Sequence, residues 1–357
     1  MSKLRLGIIG CGKMTVNHGQ SFKKNPEVND IFDVTCVCDI IPEQAEAAKE
    51  SYGAQYAFTD YKDMLDYVDA VLVVLPHDVH FECGMFFVQN KKHVLMEKPL
   101  CIKDEECLAL KKAAEENDVK LMTAYCVRYY PQVLEMKRFV DEGLIGDVFH
   151  MSIWTEQWTK AKDPTRTRIA RMGGGQLFSH GCHYIDILLW FLGKPVRGYH
   201  LGNNFGTPWL EKEGTSDVVI EFESGAIGYH MGTWGAVGTR HGWEIQIHGT
   251  KGMLAYSKIG EYGGKVVLYR NIGNAKDHNE DPNATDIEIL WETDDIFGKK
   301  TAPEVIHFAD CIINDKEPNT NAHQSIQGLR VIRKLYEAEE NGVIADLRGL
   351  SFEDPIA

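Results

Sequence analysis

Two rhythms of apolar positions divide this chain. In the first third, short continuous apolar runs sit at residues 4–9, 34–38, 70–75, 93–96 and 120–123. Each has the length and composition of a strand buried on both faces. Between them lie stretches with helical spacing, at 13 to about 23, 42–52, 78–90 and 104–117, the second with Pro42 in its first turn. Strands alternating with helices of this length predict βαβ units, right-handed crossovers and a parallel sheet. Beyond about Tyr125 the rhythm changes. A helix over 132–142 closes at Gly143 to Gly146, and alternation then predicts strands at 148–157, 196–201, 216–222, 226–233, 243–248, 252–257 and 265–269. Turn signals such as Glu223-Ser224-Gly225 and Gly249-Thr250-Lys251-Gly252 separate them. One long helix, about 177–192, interrupts the strands, and helices return at 303–314 and 322–341. Residues 271–285, rich in Asn and Asp, read as a loop. The pattern predicts two domains. Residues 1–124 form an α/β domain on a parallel sheet, and residues 125–357 an α+β domain on one large, mostly antiparallel sheet.

Composition narrows the class. Of 357 residues, 44% are hydrophobic and 25% charged, which argues against disorder. The net charge of -14 disfavours nucleic acid and anionic membrane surfaces as partners. No apolar run is long enough to span a bilayer. The first strand begins directly after Met1-Ser2-Lys3, which leaves no room for a signal peptide. Nine cysteines, an odd count without a CxxC pair, read as reduced thiols and a cytoplasmic location.

Three stretches carry candidate chemistry. In Leu6-Gly7-Ile8-Ile9-Gly10-Cys11-Gly12-Lys13-Met14-Thr15 a strand turns through glycines into a helix. Gly10 permits the turn, Gly12 lets a pyrophosphate approach, and the helix start at Lys13 and Met14 offers free N–H groups. Thr15 stands where the dinucleotide fingerprint wants a smaller residue, and a doubly wound domain binding no dinucleotide is the alternative. Asp39 ends the second strand and could accept both ribose hydroxyls; it is followed by Ile40, with nothing suited to a 2′-phosphate. Its plainer role is to cap the next helix. Glu97-Lys98-Pro99 falls at the carboxyl end of a parallel strand, where ligands of open α/β sheets sit. There Lys98 could stabilise a substrate alkoxide, or be a surface Lys–Glu pair beside a turn. Finally, Gly173-Gly174-Gly175 leads into a helix bearing Ser179, His180, His183 and Asp186. His180 and His183 share a helical side. A metal pair with Cys182 lacks a well-spaced third ligand, and the glycine run implies a close backbone approach that favours acid–base chemistry.

Together these motifs, in this order and spacing over most of the chain, resemble the Gfo/Idh/MocA family of oxidoreductases. The resemblance implies a Rossmann domain, a C-terminal domain with a large open sheet that serves as an oligomer surface, bound NAD or NADP, and sugar or cyclitol substrates. It makes Lys98 the catalytic lysine and His183 the acceptor of the hydroxyl proton. Pro76, His77 and His80 match the loop and helix start that contact the cofactor, with Glu97 beside them, and Arg128 matches an arginine at the nicotinamide end. Ser179-His180 replaces the acid usual four residues before the histidine, and Cys126 a common amide. The expectation is an NAD-dependent oxidoreductase acting on a secondary hydroxyl of a sugar or glycoside, with His180 or Ser179 relaying the proton. Trp154, Trp158, Arg168 and Arg171 are candidate substrate contacts, although strand aromatics are as often core. Relatives that form 3-oxo sugars, or that use bound NAD to break a glycosidic bond, are alternatives within the fold. A non-catalytic NAD-sensing protein that keeps the fold without the activity is an alternative of another class.

Overall fold

A computed structural model describes residues 3–160, 168–272, 285–296 and 298–356. In chain order the elements are β1 Leu4–Ile9, α1 Lys13–Lys24, α2 Glu27–Ile31, β2 Phe32–Cys38, α3 Pro42–Tyr52, β3 Tyr56–Phe58, β4 Ala70–Val73, α4 His80–Gln89, β5 His93–Glu97, α5 Asp104–Glu116, β6 Leu121–Ala124 and α6 Pro131–Asp141. They continue with β7 Val148–Glu156, α7 Ile169–Met172, a π-helical turn Leu177–Gly181, α8 Cys182–Leu192, β8 Pro195–Asn203, β9 Thr215–Phe222, β10 Ile227–Thr233, β11 Trp243–Gly249, β12 Gly252–Ser257, β13 Lys265–Asn271, β14 Thr285–Glu292, α9 Ala302–Ile313, α10 Ala322–Asn341 and β15 Ala345–Asp346. The loop expected over 271–285 shrinks at both ends, since β13 reaches Asn271 and β14 starts at Thr285. Its middle lies outside the described residues.

The first compact unit comprises Met1–Tyr129, Ala170–Gly173 and Gly298–Leu329. Its sheet is parallel, in the order β3-β2-β1-β4-β5-β6. The strand order reverses at β1, so the carboxyl ends of β1 and β4 flank the crevice where open α/β sheets bind ligands. Two later segments, Ala170–Gly173 and Gly298–Leu329, group with the residues before the expected break at 124. The apolar stripe of α9 supplies Ala302, Val305, Phe308 and Ala309 to the core built on Leu6, Ile8, Leu72 and Leu95. Ser21 Oγ, on α1, accepts the Thr301 and Ala302 N–H groups that would otherwise be orphaned at the start of α9, at 3.0 and 2.9 Å. A stretch remote in sequence thus covers this sheet because its face is apolar there.

The second unit comprises Tyr130–Ile169, Gly174–Phe297 and Arg330–Ala357. Its nine strands run β14-β13-β12-β11-β7-β10-β9-β8-β15, antiparallel but for the β7–β10 pair. One face is buried, carrying Ile153, Val218, Ile220, Ile245, Ile247 and Leu254. Tyr184 of α8 stacks on His230 of β10 at 4.8 Å and accepts a hydrogen bond from Trp243 Nε1 at 3.0 Å, so α8 covers this face. The other face shows a row of part-exposed apolar side chains, Tyr199, Leu201, Val219, Ile227, Ile287 and Ile289. All nine cysteines are buried, and desolvation pushes the Cys36 thiol up to about 11, so it serves packing rather than reaction. No helix among the described residues is long and apolar enough to cross a membrane.

Candidate active site

In the first unit the glycine turn closes as the spacing predicts. Gly10 has φ +89°, and a Cβ there would lie 2.3 Å from the Val74 carbonyl oxygen, so only glycine fits. Gly12 is the N-cap of α1, with no side chain capping the helix. A Cβ at Gly12 would meet nothing within 4 Å, which leaves the space before the helix N-terminus open. Lys13 is exposed and Met14 half-buried beside it. Thr15 is no defect: its buried hydroxyl donates to the Gly10 carbonyl and ties the turn. Asp39 performs two tasks. Oδ2 accepts the Cys11 N–H at 2.7 Å and Oδ1 the Ile41 N–H at 2.9 Å, so the carboxylate joins the end of β2 to the glycine turn. Each oxygen keeps a lone pair for a ribose hydroxyl. Ile40 is 86% exposed next to it. An open helix start, a glycine cradle and an acceptor carboxylate fit a dinucleotide.

Lys98 is half-buried at the end of β5. Around it, several residues expected at the cofactor have protein partners. Glu97 points inward and pairs with His18 Nε2 at 3.0 Å. Burial works to raise its carboxyl, but the His18 hydrogen bond and charge overcome that and hold it near 2. Its Oε2 accepts the Lys98 N–H at 3.3 Å, so Glu97 braces the lysine turn. His80 is fully buried, with ring nitrogens 2.9 Å from the Pro99 and Leu75 carbonyl oxygens. It ties the Lys98-Pro99 turn to the end of β4. Arg128, also buried, directs Nη1 to the Asn319 carbonyl and Gln324 Oε1, and so holds the 298–329 segment. Pro76 is exposed, and His77 is half-buried with Nδ1 3.0 Å from the Met172 carbonyl oxygen. Arg171 forms an ion pair with Asp78 at 2.9 Å. Sequence reasoning missed His18 and Glu304; the latter is a fully buried acid beside Glu97 whose carboxyl burial pushes well up. Burial of polar residues three-dimensionally leaves no trace in local periodicity.

In the second unit the glycine run has a different partner from the one expected. A Cβ at Gly175 would lie 2.2 Å from Glu213 Oε2, and one at Gly174 2.5 Å from Phe178 Cβ. The close approach is to the protein itself. Glu213 and Tyr336 receive the four N–H groups that open the helical turn. Tyr336 OH accepts Gly175 N and Phe178 N at 3.2 and 3.3 Å, the Glu213 carbonyl accepts Gln176 N at 2.8 Å, and Glu213 Oε1 accepts Leu177 N at 3.1 Å. Tyr336 OH donates in turn to Glu213 Oε1 at 2.6 Å. The π-helical turn that follows is a geometry frequent at functional sites. It carries Ser179 and His180, both half-buried, and leads to buried His183 and Asp186. The His180 and His183 rings meet edge-on at 6.0 Å, as their spacing predicts. Tyr184 at 5.3 Å and Trp234 at 6.4 Å enclose His180, and neither was foreseen. Trp158, 59% exposed, pairs through its backbone with Gly235, next to Trp234. Arg168 is exposed. Thr155, next to Trp154, contacts His230 on the covered face, so strand alternation turns Trp154 to the opposite face, where it stacks on His241 at 5.0 Å. Among the described residues no cluster of three or more His, Cys, Asp or Glu could hold a metal.

A parallel sheet with this cradle at its switch point, joined to a domain with a large open sheet, defines a nicotinamide-dependent oxidoreductase of the two-domain type. The chain belongs to the GFO/IDH/MocA family, matching its NAD-binding Rossmann fold over residues 4–125 and its C-terminal domain over residues 133–255, and its cofactor is NAD. It is 24% identical over 323 residues, 88% of each chain, to a scyllo-inositol 2-dehydrogenase (NAD(+)) of Bacillus subtilis. It is 26% identical over 257 residues to a 2,7-anhydro-N-acetylneuraminate hydratase of Escherichia coli, covering 70% of this chain and 67% of that one. The fold superposes on a levoglucosan dehydrogenase solved with NADH at a TM-score of 0.85, with 19% identity, over 97% of this chain and 99% of that one.

Proposed function

We propose that this enzyme oxidises a secondary hydroxyl of a neutral sugar or glycoside, with the C3 hydroxyl of a glycoside as the leading candidate position. NAD, when bound, supplies the hydride acceptor. Gly10, Gly12 and the N–H groups opening α1 hold its pyrophosphate, and Asp39 its adenosine ribose. Lys98 donates a hydrogen bond to the reacting oxygen and stabilises the charge it gains as its proton leaves. His183 takes that proton, and Ser179 or His180 passes it on. Trp158 offers an exposed aromatic face against which a sugar ring can stack.

The observation that carries this reading is the braced lysine at the strand end. Glu97 and His80 both anchor the Lys98-Pro99 turn from within the core, an arrangement with no purpose for a mere surface lysine. The test is a panel of aldoses, cyclitols and glycosides incubated with NAD, followed by NADH absorbance and mass spectrometry of products. Turnover on glycosides with 3-oxo products is the expected result. Lys98→Ala should retain NAD binding and lose at least ~100-fold in turnover, and full activity in that variant would overturn the enzymatic roles assigned here. A second reading, redox-assisted cleavage or hydration of an anhydro or glycosidic bond, is favoured by the hydratase relative and by Ser179 in place of an acid. Products that gain water without net NADH would select it. A homo-oligomer built on the apolar row of the second sheet, in the cytoplasm, completes the proposal.

A further inference from the structure

We propose that Gln176 is a positioning residue that holds the His180 ring in a single tautomer. Gln176 is fully buried, and its side-chain nitrogen lies 3.3 Å from His180 Nδ1, one helical turn away. An amide nitrogen only donates, so Nδ1 is the accepting nitrogen and the neutral ring carries its hydrogen on Nε2.

Two features keep the amide where it is. The first is a slot in the sheet. A Cβ at Gly232, on the covered face of β10, would lie 2.2 Å from Gln176 Nε2 and 2.6 Å from Cδ and Oε1, so the missing side chain at Gly232 is the space the amide occupies. The second is the backbone. Gln176 N–H is held by the Glu213 carbonyl at 2.8 Å, and its neighbours Gly175, Leu177 and Phe178 are held by Tyr336 and Glu213. The residue can neither shift along the helix nor swing into the sheet. The aromatic rings of Tyr184, His183 and Trp234 enclose the imidazole at 5.3, 6.0 and 6.4 Å, and the amide makes a polar contact to one of its two nitrogens, Nδ1.

The consequence sharpens the proposed mechanism, on which this point rests. A ring with hydrogen on Nε2 is a donor there and can take a further proton only at Nδ1, after breaking the Gln176 bond. His180 then serves to donate a hydrogen bond, and the onward path of the proton from His183 falls to Ser179. The acid usual at position 179 is absent here, and the neutral amide of Gln176, three residues before it, orients His180 rather than His183.

The experiment reads the tautomer without substrate, so it stands even if no sugar on the panel is turned over. The full chain is labelled with ¹⁵N-histidine, and long-range ¹H–¹⁵N correlations are recorded, with His180 assigned by the signals lost in His180→Asn. Unmodified protein should show an unprotonated Nδ1 and a protonated Nε2. Gln176→Leu should move both nitrogens toward the averaged positions of a ring exchanging between tautomers, and Gln176→Met, of similar volume, should do the same if the leucine variant folds poorly. NAD affinity, carried by the other unit's residues, should be unchanged in both. A protonated Nδ1 in the unmodified protein, or a tautomer unmoved in a folded Gln176 variant, would overturn the proposal. Activity lost with the tautomer unmoved would also count against it, since it assigns Gln176 a role other than positioning this ring.

Discussion

Asp39 is the residue at which cofactor choice and turn geometry meet, and its replacement separates the two. Asp39→Ala removes the acceptor offered to the ribose and also the bonds to Cys11 N–H and Ile41 N–H. A hydrogen bond to a charged group contributes about 1.5–3 kcal/mol, so loss of the ribose contact alone should weaken NAD binding by about 10- to 150-fold. Loosening of the glycine turn adds to that, because the Cys11 N–H is left without its 2.7 Å partner where a pyrophosphate must dock. Asp39→Asn tells the effects apart. Its amide keeps one oxygen for one N–H but turns a donor toward the other, so it should fall between the unmodified protein and Asp39→Ala. Both variants should narrow the preference for NAD over NADP, since the repelled 2′-phosphate no longer meets a charge. Calorimetric titration with NAD and NADP reads the affinities, and thermal denaturation of the cofactor-free protein reads the turn. Tighter binding of NADP than NAD by the unmodified protein, or an unchanged NAD affinity in Asp39→Ala, would refute the reasoning.

Two glycines should respond oppositely to alanine. Gly175→Ala drives a Cβ against Glu213 and should cost about 1–3 kcal/mol or more in urea denaturation, whereas Gly12→Ala meets open space and should barely change stability while weakening NAD binding. Tyr336→Phe leaves the Gly175 and Phe178 N–H groups without their acceptor and should destabilise by about 1–3 kcal/mol; an unchanged urea midpoint would show that these bonds are replaceable. Acid should weaken the fold with a definite sign. Burial holds His230 down at about 3, so below its ordinary value the unfolded chain binds a proton the folded chain refuses, and stability falls by about 2 kcal/mol between pH 6.5 and pH 5 from this residue. Glu97, held near 2, adds stability above its ordinary value that is lost as pH drops from about 4.5 toward 2. Urea midpoints that stay level from pH 7 to pH 5 would contradict the burial of His230. Light scattering at micromolar protein should give a mass above that of one chain, and Leu201→Glu on the apolar sheet row should lower it; a monomer in both cases would leave that row without the assigned role.

Much of this protein was legible from local pattern, because strand, helix and turn are set by neighbours in the chain. The apolar runs, the glycines after β1, the aspartate after β2 and the lysine after β5 all stand where spacing put them. The segment 298–329 joins the first unit for a non-local reason. The stripe on α9 is apolar in any reading, but nothing nearby in sequence says that its partner is a sheet formed from residues around Leu6 and Leu95. The same distinction runs through the candidate site. Residue types showed that Glu97, His80, Arg128 and Trp154 could serve a ligand; only burial, the far carbonyls they meet and the face they occupy assigned them to bracing and to the outer sheet surface. The glycine run before His180 announced a close approach, yet whether that approach was to a ligand or to Glu213 and Tyr336 depended on contacts across 36 to 161 positions of chain. Periodicity records which side of an element is buried. It carries no record of what it is buried against, because that is settled by the complementary surface of a distant segment once the chain has folded.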